Sequence, residues 1–146
     1  RQNLPYLPKV DADVITQGAY VLAEPSEVGL SKKAQVVLMA TGSEVHLALQ
    51  AQEQLAKLKI AARVVSVPST TVFDRQVESY KVQVLPRDVP RVAIEAGVTD
   101  GWWKYGVAAV VGLDRYGESA PAPDLFKFFG FTVEHAVAVA RKVLAK

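Results

Sequence analysis

The sequence predicts an α/β sandwich, a mostly parallel sheet held between helical layers. Three observations carry this. Val36-Val37-Leu38-Met39-Ala40 is an unbroken apolar run, which suits a strand buried on both faces. An amphipathic stretch from Glu44 to Lys59 follows it after a Thr-Gly-Ser break. A second β-branched run, Ile60 to Val67, then completes a strand-helix-strand unit, whose crossover is right-handed and pairs its strands in parallel.

Arg1 to Gln17 is polar, and Pro5 and Pro8 favour extended backbone over helix. With no cap and no apolar stripe, residues 1–17 read as a linker leading in from a missing partner, with a native N-terminal arm as the alternative. Gly18 to Glu24 reads as a strand with Tyr20 and Leu22 on one face, and Pro25 to Lys33 as a loop. Thr41 with Glu44 has the capping-box spacing, and Ser43 is a second candidate cap. The helix beyond carries its stripe at Val45, Ala48, Leu49, Gln52, Leu55 and Ala56, and Lys57 and Lys59 suit its C-terminus. Pro68 stops the next strand, Ser69-Thr70-Thr71 cap a short segment, and Val77 to Val84 continues as helix until Leu85-Pro86.

Arg91 to Glu95 is the third core strand. Gly101 to Tyr105 reads as a helix start, and Val107 to Leu113, interrupted by Gly112, reads as a helix end or as part of a strand from about Ala109 to Tyr116. Ser119-Ala120-Pro121 begins a helix with proline in its first turn and Gly130 as its C-cap. Thr132 caps the last helix, striped at Val133, Ala136, Val137, Ala140, Val143 and Leu144. Short strands at the two ends leave room for a mixed sheet.

Composition narrows the function classes. The 146 residues are enough for one domain with a sizeable core, and 50% hydrophobic with 22% charged residues is globular composition. A net charge of +2 without a run of Lys and Arg gives no nucleic-acid or membrane face. No apolar stretch approaches the length of a bilayer span. There is no cysteine, hence no disulfide and no thiol nucleophile. Nothing resembles a signal peptide, and the expected location is cytoplasmic.

Ligands of open α/β sheets bind beyond the carboxyl ends of the strands. Those ends carry Thr41-Gly42-Ser43, Pro68-Ser69-Thr70 and Glu95-Ala96-Gly97. Amides after Gly42 could hold an anion, but the stretch is neither a Walker loop nor a dinucleotide fingerprint, and capping alone explains Thr41 and Ser43. His46 and His135 are the two histidines, each near a helix start without ligands at metal spacing, so both read as surface or boundary residues. Glu95 ends an apolar strand. It could be a general base with a raised pKa, but no nucleophile or second acid is identifiable beside it, and a backbone amide or an arginine is its expected partner. Trp102, Trp103 and Tyr105 lack basic interleaving, so core filling or a subunit contact is preferred to base stacking. The residues alone therefore show no self-sufficient active site.

Nine segments, in order, resemble the C-terminal domain of transketolases, thiamine-diphosphate enzymes, with the bacterial type closest. They are Arg1-Gln2-Asn3-Leu4-Pro5, Gly18-Ala19-Tyr20-Val21-Leu22, Ala40-Thr41-Gly42-Ser43-Glu44-Val45, Ala62-Arg63-Val64-Val65-Ser66-Val67-Pro68-Ser69, Phe73-Asp74-Arg75-Gln76, Val84-Leu85-Pro86, Glu95-Ala96-Gly97, Tyr116-Gly117-Glu118-Ser119-Ala120-Pro121 and Phe129-Gly130-Phe131-Thr132. The resemblance implies a five-stranded, mixed, mostly parallel sheet flanked by helices. It makes residues 1–17 the linker from a missing pyrimidine-binding domain and residues 18–146 the C-terminal domain.

It implies transfer of a two-carbon ketol unit between ketose and aldose phosphates in the pentose phosphate pathway. The whole enzyme would be a homodimer using thiamine diphosphate with Mg²⁺ or Ca²⁺. The cofactor-activating glutamate, the metal ligands and the proton-handling histidines belong to the family's other domains, so no catalytic, cofactor or metal residue is expected here and no cofactor is expected on this chain alone. One residue carries over: Arg1 matches the arginine of the family's Ser-Arg-Gln-Asn-Leu motif, which contacts the sugar phosphate, and a guanidinium suits a phosphate dianion. The chain alone is expected to be inactive and to serve interdomain and dimer packing. The alternatives are a free-standing regulatory module binding an anion or nucleotide at Thr41, Ser43, Ser69 and Glu95, or the C-terminal domain of a dihydroxyacetone synthase.

Overall fold

The computed structural model describes residue 4 and residues 6–30 and 32–145. A five-stranded sheet runs through it, with strands β1 (Tyr20–Ala23), β2 (Val36–Ala40), β3 (Ala62–Ser66), β4 (Arg91–Ile94) and β5 (Ala109–Val111). Their spatial order is β1-β3-β2-β4-β5. β2 pairs in parallel with β3 and β4, and β4 with β5, while β1 runs antiparallel along β3. The sheet is thus mixed and mostly parallel, as the sequence predicts.

β2 is central because every one of its residues is apolar and fully buried. Its alternation then divides the core. Val36, Leu38 and Ala40 point to one face, where helices α2 (Glu44–Lys57) and α6 (Val133–Leu144) pack. Val37 and Met39 point to the other, against Phe73, Val84 and Trp102. Helices α3 (Thr70–Asp74) and α4 (Glu78–Val84) and a 3-10 segment, Asp100–Tyr105, cover that second face. Each buried Val, Leu or Met contributes about 1.5–3 kcal/mol, and both faces of the strand collect it.

The helix stripes fall as expected. Val45, Ala48, Gln52 and Leu55 are buried on α2, and Ala136 and Ala140 on α6. The polar member, Gln52, donates its amide hydrogens to the carbonyls of Glu24 at 3.1 Å and Ala62 at 2.9 Å. The side chains of Ser69 and Thr132 cap α3 and α6, accepting from Val72 N and His135 N.

Several expectations are corrected. The lead-in is not wholly extended: α1 (Ala12–Ile15) forms after Asp11, far enough past Pro8 to escape its restriction. The loop after β1 holds a 3-10 turn, Pro25–Val28, with a reciprocal capping box between Glu24 and Glu27. Gly101 to Tyr105 belongs to a 3-10 segment rather than an α-helix. β5 stops at Val111 instead of reaching Tyr116, because Gly112 folds against Thr99, whose Cγ2 would lie 2.6 Å from an added Cβ. Helix α5 (Ala122–Phe129) takes Pro121 as its N-cap, so Pro123 is the proline inside its first turn. Gly130 closes α5 in the left-handed region, as predicted.

Candidate functional site

Three parallel strands end level. Ala40 stands opposite Ser66 on one side and Ile94 on the other, so the three loops beyond them converge. They frame a crevice of about 580 Å³ in which Thr41, Ser69 and Glu95 meet Trp102 and Lys104 of the 3-10 segment. The sequence places Thr41, Ser43, Ser69 and Glu95 together, and the structure brings three of them there. Ser43 instead lines a separate, largely apolar cleft of about 970 Å³ beside His46, Phe131 and Thr132.

The expected capping by Ser43 and Thr41 does not form. Ser43 sits at the N-cap of α2 in helical backbone, φ −67° and ψ −28°, and makes no side-chain cap. A cap needs extended backbone to carry its oxygen over the next amides. Ser69 (φ −151°, ψ 105°) and Thr132 (φ −121°, ψ 155°) have that backbone and do cap. The Ser43 hydroxyl donates to the Glu44 carboxylate at 2.5 Å.

Glu95 is half-buried, and its neighbour is the one the sequence does not reveal. Burial raises its carboxyl above the ordinary range, and the charge of Glu44 adds to the rise. Glu44 is itself only 4% exposed. The second acid whose charge bears on Glu95 thus comes from the first turn of α2. The signal was available in part. Glu44 and Glu95 follow the carboxyl ends of β2 and β4, but only the register of Ala40 on Ile94 shows that these ends are adjacent. The loop turns tightly enough that a Cβ on Gly97 would lie 3.3 Å from Glu95 Cγ. The crevice wall itself carries one carboxylate, Glu95, and one cation, Lys104.

Trp102 is buried and Trp103 half-exposed, so the aromatic cluster divides between core and surface. Tyr105 packs on Phe73 and Trp102 at ring separations of 5.9 and 6.2 Å. Its hydroxyl donates to Asp74 Oδ1 at 2.7 Å, and Lys104 Nζ donates to Asp74 Oδ2 at 2.6 Å. The Lys104 contact, with Tyr105 after it, holds Asp74 below the usual carboxylate range despite partial burial. Burial, with Asp74 adding to it, pushes the Tyr105 phenol up.

His135 is exposed, and its Nδ1–H donates to the Gly130 carbonyl at 2.8 Å, binding the start of α6 to the end of α5. His46 is partly buried on α2 at the apolar cleft. Among the described residues no three His, Cys, Asp or Glu side chains converge as a metal ion would need. They therefore offer no cluster of three such ligands to a divalent metal. Arg1, the one predicted substrate contact, lies outside the described residues. Among the described residues no helix is long and apolar enough to cross a membrane.

Comparison with known proteins agrees with this architecture. A family model described as a transketolase-like TK C-terminal domain matches residues 18–132. Over 99% of its length the chain is 50% identical to transketolase 2 of Escherichia coli (strain K12), of which it covers 22%. It is 47% identical to transketolase 2 of Vibrio parahaemolyticus, with the same coverage of 22%. The chain thus spans about a fifth of the length of these curated relatives. Among solved structures, transketolase from Leishmania mexicana matches with a TM-score of 0.89 and 38% identity, over 99% of this chain and 20% of that one. A Pichia stipitis transketolase in complex with sedoheptulose 7-phosphate matches with a TM-score of 0.89 and 41% identity at the same coverage.

Proposed function

The chain belongs to the transketolase-like C-terminal domain family, and from that premise we propose that it is the C-terminal domain of a transketolase of bacterial type. The carrying observation is the 50% identity held over 99% of the chain against 22% of the relative. The complete polypeptide would transfer a two-carbon ketol unit from a ketose phosphate to an aldose phosphate, in the cytoplasm and within the pentose phosphate pathway. Thiamine diphosphate and a divalent cation would supply the carbanion chemistry there. Among the described residues no three metal-ligating side chains converge to hold that cation.

The work assigned to this chain is packing. Val98 and Trp103, beside the strand-end crevice, and Phe128 on α5 leave large apolar surface exposed. Such surface suits burial against other domains of the same polypeptide or against a second subunit. Residues 1–17 would join a preceding domain, placing Arg1 where its guanidinium meets the phosphate of the sugar.

The test compares two preparations in a ketol-transfer assay: the full polypeptide encoded by the native gene, and the 146-residue chain. Thiamine-dependent turnover by the first and none by the second is expected. Turnover by the purified chain, or a native polypeptide of 15.8 kDa without transferase activity, would overturn the proposal.

A further inference from the structure

A third concavity, of about 430 Å³, lies on the face covered by α3, α4 and the 3-10 segment. Six charged side chains line it: Asp74, Glu78, Lys81, Arg87, Arg91 and Lys104. Both carboxylates are already engaged, Asp74 by Lys104 at 2.6 Å and Glu78 by Arg87 at 2.8 Å. Four cations against two carboxylates leave a net charge of two, and Lys81 and Arg91 are the cations outside the two ion pairs, with the charge of Lys81 also bearing on Asp74. Among the described residues neither has a carboxylate in ion-pair contact.

Arg91 is held in place by neutral groups alone. It donates to the carbonyls of Tyr105, Leu85 and Pro86, and its Nε is buried with no hydrogen-bond partner. A guanidinium fixed by carbonyls is immobilised without being neutralised. Part-burial weakens the screening that water gives a surface cation. Lys81, one turn into α4, is a point charge on a flexible stem at the same cavity. Phe73 and Tyr105 supply an apolar wall.

We propose that this groove is an oxyanion site that takes the phosphate group of a small molecule, with Lys81 as the movable contact and Arg91 as the fixed charge. The site is independent of the strand-end crevice and of the transketolase reading, and its failure would leave that reading intact. Inorganic phosphate and phosphate monoesters share the recognised chemistry.

The test is a two-dimensional ¹H–¹⁵N NMR titration of the 146-residue chain, run on samples whose dispersed amide spectrum shows them folded, with inorganic phosphate and, separately, glycerol 3-phosphate, and with sodium chloride holding ionic strength constant. Saturable shifts at the amides of Asp74, Arg75, Tyr105 and Gly106 are expected. Lys81→Met should weaken binding about tenfold, the loss expected for one charge-assisted hydrogen bond, and Lys81→Arg should retain it. Tighter binding of glycerol 3-phosphate would assign the site to esters, and equal binding would assign it to the free ion. Shifts reproduced by chloride alone, an unchanged affinity in Lys81→Met, or no saturation with either probe would overturn the proposal. Arg91 is left intact because it also secures the end of α4.

Discussion

Arg63 and Arg91 stand in register on either side of Val37 and together hold the end of one helix. Both pair with Val37 across the sheet, Arg63 from β3 and Arg91 from β4. Arg63 donates to the carbonyls of Gln83 at 2.8 Å and Val84 at 3.1 Å, and Arg91 to those of Leu85 at 3.0 Å and Pro86 at 2.9 Å. Four successive carbonyls at the C-terminus of α4 are thus satisfied from the sheet beneath. The last carbonyls of a helix have no partners within it, and they carry the negative end of its dipole. A helix of seven residues with one buried side chain has little packing of its own to hold it there. Arg91→Met should therefore lower stability by about 2 kcal/mol and the melting temperature by roughly 6 °C, read by calorimetry. An unchanged melting temperature would remove the arginines from this role.

Gln52 ties the buried face of α2 to the amino end of the sheet. Gln52→Leu keeps the volume but removes the side-chain donor from the Ala62 carbonyl and from the Glu24 carbonyl, which keeps only Glu27 N. A loss of about 1–3 kcal/mol is expected in urea unfolding, with an unchanged m-value.

Gly18 has φ +85°, and a Cβ added there would meet Phe73 N at 2.4 Å and the Ser69 carbonyl oxygen at 2.6 Å. It also accepts from Ser69 N at 2.9 Å, so the start of β1 and the start of α3 share one tight contact. Gly18→Ala combines backbone strain with a steric clash and should cost at least about 2 kcal/mol. Retention of full stability would mean that the loop repacks freely.

Glu95 and Asp74 should give opposite pH signatures. The folded pKa of Glu95 is raised, so the folded state binds its proton more tightly than the unfolded chain does. The stabilisation tied to that proton is complete below the ordinary carboxylate range and is lost as pH rises through the folded pKa. Glu95→Gln should therefore raise the melting temperature at neutral pH and change it little at about pH 3, below the ordinary glutamate pKa. Asp74 is depressed, so its contribution is present above the ordinary aspartate value and is lost as pH falls through the folded one. Asp74→Asn should lower the melting temperature at neutral pH and converge with the wild type in acid. Parallel pH profiles for the two variants would contradict these assignments.

Arg1→Ala in the full polypeptide tests the proposed phosphate contact. Loss of a charge-assisted, two-point contact should raise KM for phosphorylated sugars about 10–100-fold. KM for an unphosphorylated ketol donor should be unchanged. An equal effect on both substrates would place Arg1 outside the phosphate site.

Much of this protein was legible along the chain because its signals are local. The continuous apolar run of β2, the stripes of α2 and α6, the caps Ser69 and Thr132, and the left-handed Gly130 each follow from a few neighbouring residues. The order of nine short motifs pointed to the family on the same footing. What local patterns could not supply was the backbone angle at Ser43, which decides whether a serine caps or turns aside. Nor could they show which strand ends meet.

By itself, then, the sequence determined the mostly parallel α/β sandwich and the family, since periodicity, capping chemistry and ordered motifs are properties of short stretches. Tertiary structure alone decided that the charge of Glu44 bears on Glu95, that Ser43 lies outside the crevice its neighbours share, and that Arg63 and Arg91 converge on one helix end. Each joins residues far apart in the chain. Their meeting follows from the strand order β1-β3-β2-β4-β5 and its register, which pairs whole strands and is set by burial of both sheet faces at once.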